Sequence, residues 1–133
     1  MKKLVVLVDW CEKNYSALIN ENVDGIILAT AKSLKELEVR LKESIELHIL
    51  DSECEVSDFL RKGEYELEYQ YTISATLQKA LNYTTLAAIS RVTGIKHAQL
   101  SHYANAVSRP LPRQQERIIN GLHEIGRVCL SVQ

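Results

Sequence analysis

Six hydrogen-bonding side chains crowd the run TGIKHAQLSHYAN at residues 93 to 105: Lys96, His97, Gln99, Ser101, His102 and Asn105. Ile95, Leu100 and Tyr103 stand between them, at a spacing that turns them to the opposite side of a helix starting just after Gly94. Side chains of these types hydrogen-bond to base edges and to phosphates, so the chemistry expected is recognition of nucleic acid. Lys96, with Arg109 and Arg113 further along, would neutralise phosphate. The plainer reading is a helical hairpin with a polar outer face. Charge weighs against it: residues 73 to 133 hold 7 Lys plus Arg and only 2 Asp plus Glu, a balance of +5.

Other reactive side chains point to less. The carboxylates of Asp9, Glu12, Asp24 and Glu36 have no spacing that sets two of them on one face of one element, and they are expected to be solubilising surface charge. A metal-dependent nuclease using Asp9, Glu12 and Glu36 is the enzymatic alternative. Cys11, Cys54 and Cys129 are odd in number and scattered without a CxxC pair, as reduced thiols packed like small hydrophobes would be. His48 falls on an apolar helical stripe with no partner at ligand spacing, so it is expected to be a packed or rim histidine. Neither a metal nor a cofactor is expected.

The elements that must position these residues differ between the two halves. Residues 1 to 72 hold 9 Lys plus Arg against 15 Asp plus Glu, a balance of −6, and they alternate like strands. Leu4 to Val8 is a valine-rich run of the kind buried on both faces; Glu12, Lys13 and Asn14 supply a turn into Tyr15 to Ile19. NENVDG is a second turn, leading into a third strand from Gly25 to Ala31. Ser33 and Glu36 form a capping box for a helix whose stripe is Leu34, Leu37, Leu41, Ile45, His48 and Ile49. Glu36 to Arg40 and Glu38 to Lys42 are exposed pairs four residues apart on it. After an irregular connection from 51 to 63, EYELEYQYT alternates cleanly, with Tyr65, Leu67, Tyr69 and Tyr71 on one face and Glu64, Glu66, Glu68 and Gln70 on the other.

From Ile73 the period becomes helical. Ser74 is expected to cap a helix through Leu77 and Leu81, and Thr84 to cap a second through Leu86, Ile89 and Val92. Gly94 then turns the chain in the left-handed conformation, and Ile95 packs behind it. Ser90 is the small residue where two helices approach. Pro112 opens a final helix with Ile118, Leu122 and Ile125 as its packing stripe.

This second half, residues 73 to about 128, resembles the Cro/repressor-type helix-turn-helix family. Members often follow the reading helix with an Asn-Gly-x-x-x-Pro loop; here NAVSRP carries Ala106 in the glycine position. Over nearly the full length, LVVLVDWCEKNYSALI, GIILATAKSLKELEVRLKESIELHI and YELEYQYTIS resemble the HicB-type antitoxins, although NENVDG lacks the proline-rich wording common there. The resemblance implies an α+β chain. Residues 1-72 would be a HicB-like, degenerate ribonuclease-H-like domain made of a three-strand antiparallel meander, a helix and a closing strand. Residues 73-133 would be an all-α helix-turn-helix domain. It implies an antitoxin, not an enzyme, that masks a HicA-type mRNA-cleaving toxin and represses its own operon as a homodimer or tetramer on an inverted-repeat operator. Tyr15, Glu64, Glu66 and Glu68 are the candidate toxin contacts. The alternative is a stand-alone helix-turn-helix regulator whose first domain senses a ligand or dimerises. With no long apolar run and no leader with a cleavage site, the chain is expected in the cytoplasm, not at a membrane.

Overall fold

The structure, a computed structural model, describes residues 1–51 and 53–133; position 52, within the 51 to 63 connection, lies outside the described residues. It is α+β, a mixed four-strand sheet with its helix followed by a helical region. The chain separates into two compact units, Met1–Thr72 and Ile73–Gln133.

In the first unit, β1 (Lys2–Cys11) turns back into β2 (Asn14–Ile19) through Glu12 and Lys13, at φ 50° and 70°. Positive φ at both central residues matches the twist of a tight hairpin. β3 (Ile27–Ala31) pairs antiparallel with β2, and β4 (Tyr65–Tyr71) pairs parallel with β1, giving the order β3-β2-β1-β4. Helix α1 (Leu34–Leu50) starts at Ser33, whose Oγ accepts the Glu36 N–H at 3.2 Å, and a salt bridge of 2.6 Å joins Glu36 to Arg40. Leu37, Leu41, Ile45 and His48 are its buried residues. Leu4, Val6, Val8, Ala17 and Ile19 complete this core, each fully buried. A short α2 (Asp58–Arg61) occupies part of the connection.

Two expectations need correction here. The run Leu4 to Val8 is not buried on both faces: Leu7 is 39% exposed, because α1 covers only one side of the sheet. On the other side the register lines up Leu7, Leu18 and Leu28 across three strands. Cys11 and Cys129 are exposed rather than packed, and all three thiols are free. His48 is buried as expected, but its Nε2 has no hydrogen-bond partner among the described residues.

The second unit contains α3 (Ile73–Ala80), α4 (Leu86–Thr93), α5 (His97–Ala104) and α6 (Pro112–Leu130). Ile73, Leu77, Ile89, Ile95, Leu100, Tyr103, Ala104 and Ile118 form its core, with Leu86, Leu122 and Ile125 packed at the edge. Two predicted caps move. Ser74 lies inside α3 and is fully buried, and Thr85 rather than Thr84 caps α4, its Oγ1 accepting from the Ala88 N–H at 3.1 Å. Either threonine suits the pattern in sequence; only the local backbone decides between neighbours. Val92 is 43% exposed, off the stripe that Ile89 anchors. Among the described residues, no helix is long and apolar enough to cross a membrane.

Candidate nucleic-acid interface

The turn between α4 and α5 is Gly94, Ile95 and Lys96. Gly94 sits at φ 74° and its N–H donates to the Ser90 carbonyl at 2.8 Å, closing α4 with a left-handed residue. Three side chains hold the turn in place. Ser90 Oγ donates to the Ile95 carbonyl at 2.6 Å; Thr93 Oγ1 donates to the Ile89 carbonyl at 2.7 Å and accepts from the Ile95 N–H at 3.2 Å. From α6, Arg117 Nη2 donates to the Thr93 carbonyl at 2.7 Å, satisfying one of the carbonyls left over at a helix end. Gly121 lets α6 approach α4 closely, since a Cβ there would stand 2.5 Å from Thr93 Cγ2.

Helix α5 is fixed at its other end by α3. Ser74 Oγ donates to the Tyr103 carbonyl at 2.7 Å and Gln78 Nε2 to the Ala104 carbonyl at 2.8 Å. After α5 the chain closes with paired bonds, Val107 N–H to the His102 carbonyl and Ala106 N–H to the Tyr103 carbonyl, around Ala106 at φ 58°. This is a helix ending that normally takes glycine, here made by alanine. The loop keeps the left-handed turn that its sequence only partly advertises.

With Leu100, Tyr103 and Ala104 buried, α5 presents Lys96, His97, Gln99, His102 and Asn105 as exposed residues, while Ser101 is half-buried. Two of these are already engaged. Gln99 Nε2 donates to Tyr103 Oη at 2.7 Å, which steers its amide; Asn105 Nδ2 donates to the Ser101 carbonyl at 2.9 Å. Arg113 is exposed in the first turn of α6. Arg109 is exposed too, yet its Nη1 donates to Ser74 Oγ at 3.1 Å, so it braces the α3 to α5 contact as well as contributing charge. Sequence reading missed this bracing by Ser74, Arg109 and Arg117. Its trace in the sequence is a serine on the apolar side of α3.

The candidate contacts of the first unit do not converge. Tyr15 is buried on the α1 side of the sheet, its ring edge-on to Trp10 with centroids 4.9 Å apart. Glu66 and Glu68 alternate with the inward Leu67 and Tyr69, so they face the other side, and Glu64 is exposed just before β4. Glu68 makes a 3.8 Å salt bridge with Lys3. Burial pushes the Tyr15, Tyr69 and Tyr71 phenols up, with Glu38 adding to the last two. Asp9 Oδ1 accepts from Trp10 N–H at 2.8 Å and from Thr72 Oγ1 at 2.7 Å, and Glu36 is held by Arg40. Among the described residues, no three His, Cys, Asp or Glu side chains are grouped to hold a metal ion.

Compared with known proteins, the chain matches no family model, no curated protein and no solved structure.

Proposed function

We propose that this chain is an antitoxin and autorepressor: its second half binds operator DNA through α5, and its first half occludes a basic, HicA-type mRNA-cleaving toxin. The observation that carries the DNA part is the α4 to α5 unit itself. Two eight-residue helices are joined by a three-residue turn braced from α6, and the second of them turns hydrogen-bonding side chains outward. A short helix held this firmly enters a major groove with its side chains already ordered. The +5 balance of residues 73 to 133 favours phosphate, and the −6 balance of residues 1 to 72 favours a basic protein. A unit of this size reads few base pairs, so a homodimer or larger assembly facing two half-sites is part of the proposal.

The stand-alone regulator is the second reading. A polar cleft in the first unit, lined by Lys2, Asp24, Glu55 and Arg61 among others, gives it a place for a small ligand. One experiment separates the two. The full chain is titrated onto DNA from immediately upstream of its own reading frame at several salt concentrations, then co-expressed with the neighbouring small basic product. Salt-steep, sequence-preferring binding supports the α5 assignment, and copurification with loss of RNA cleavage supports the antitoxin. Equal affinity for a scrambled duplex overturns the first; failure to bind or inhibit any neighbouring product overturns the second.

A further inference from the structure

The sheet of the first unit has two edges, and they differ. β3 is five residues long, and Arg40 reaches its outer side from α1, where Nη1 donates to the Thr30 carbonyl at 3.0 Å. A short edge strand covered from a helix resists pairing with another chain. β4, at the other end of the strand order, is seven residues long and has no proline, and it lies away from β3 and β2, where α1 makes its main contacts.

One bond sets the direction of the main chain along β4. The Thr72 N–H donates to the Val8 carbonyl of β1 at 2.9 Å, and along a strand the main-chain groups of alternate residues face the same neighbour. Glu66, Glu68 and Gln70 therefore turn their N–H and C=O groups toward β1, and those of Leu67 and Tyr69 point out of the sheet edge. Side chains alternate between the two faces in step. Leu67 and Tyr69 are half-buried on the α1 side, whereas Glu66 and Glu68 are exposed on the other, where Lys3 of β1 already meets Glu68 at 3.8 Å.

We infer that the β4 edge accepts an extended strand from a basic protein, one whose residues alternate between apolar and cationic. Main-chain bonds to Leu67 and Tyr69 lengthen the sheet by one strand. Apolar side chains opposite these two complete a surface that the chain leaves half-covered, and Lys or Arg opposite Glu66 and Glu68 forms cross-strand ion pairs. The same glutamates turn a second copy away from this edge. Two-fold pairing of the whole of β4 with itself sets Glu68 opposite Glu68, and like charges directly opposite destabilise a sheet. The inference rests on the reading that residues 1 to 72 meet a basic protein, and it names the element that does so.

Amide hydrogen exchange of the full chain, followed by NMR at low salt, tests it with peptides in place of a protein partner. A peptide alternating lysine and valine is expected to slow exchange of the Leu67 and Tyr69 amides about tenfold or more, and a peptide of the same composition in two blocks is expected to leave them unchanged. In the double variant Glu66→Lys with Glu68→Lys, both at exposed positions, the lysine peptide is expected to lose its effect and a peptide alternating glutamate and valine to gain it. No protection in the wild type, or equal protection by the block peptide or the glutamate peptide, overturns the inference. Leu67 and Tyr69 amides already slow in the free chain overturn it too, because the edge is then covered. No toxin enters this experiment, so a neighbouring product that fails to bind counts against the antitoxin reading alone.

Discussion

The hydroxyl of Ser90 and the carbonyl of Ile95 lie 2.6 Å apart, across the glycine that ends α4. This bond fixes the angle at which α5 leaves the turn. Ser90→Ala strips a half-buried carbonyl of its partner and is expected to lower stability by about 1 to 2 kcal/mol. Urea denaturation of the full chain measures it. DNA affinity should fall further than the stability loss alone explains, since a looser turn must be reordered on binding; unchanged affinity would separate the turn from recognition.

Ala106 sustains the left-handed conformation at φ 58° that glycine adopts without steric cost. Ala106→Gly is therefore expected to stabilise the protein by about 1 kcal/mol, the penalty for a Cβ in that region. Because the turn is unchanged, DNA binding should be unaffected. A rise in the denaturation midpoint at constant slope is the expected signature.

Gln99 is the residue expected to read a base, with its amide held by Tyr103 Oη. Gln99→Ala should cost about 1 to 3 kcal/mol at one base position in a randomised-site selection and little elsewhere. Tyr103→Phe keeps the buried ring while freeing the amide, so it should blunt the same preference. A selection profile identical to wild type for both variants would remove Gln99 from the reading set.

The raised phenols of Tyr15, Tyr69 and Tyr71 make the first unit sensitive to alkali. The unfolded chain releases these protons near the ordinary value of 10.0 while the native state still holds them. Below that value they leave stability unchanged, and above it stability falls as pH rises. Denaturation compared at about pH 9 and about pH 11 should show the loss, and the double change Tyr69→Phe with Tyr71→Phe should reduce it.

Much of this architecture is legible in residue order because local signals agree. The alternation in EYELEYQYT, the Ser33 cap and the Gly94 turn each act within a few residues, and each appears where its pattern puts it. What escaped is set by distant partners. Whether Leu7 is covered depends on which side α1 chooses, and Ser74 is a brace rather than a cap because Tyr103 and Arg109 come to it from about thirty residues away. At the candidate interface, exposure of the α5 side chains follows from their spacing. The engagement of Gln99 and Arg109 does not, because it depends on side-chain geometry that spacing leaves open. Tyr15 shows the same limit, since its strand parity is readable but the sheet face that becomes core is a tertiary outcome.

The parallel pairing of β4 with β1 sets an order of assembly during synthesis. Lys2 lies beside Tyr65 and Val8 beside Tyr71, so the first strand made waits for the last strand of its sheet. Strands β1 to β3 and α1 can associate as they leave the ribosome, but one edge of β1 remains unpaired over the interval in which the next sixty or so residues are translated. That edge is flanked by exposed Leu7 and is the part of the nascent chain most open to mispairing with a neighbour. Closing it pairs strands about sixty residues apart, a non-local contact of the kind that is intrinsically slow to form. Translation of the whole stretch from the end of β1 to β4 therefore sets the least time for which that edge stays open.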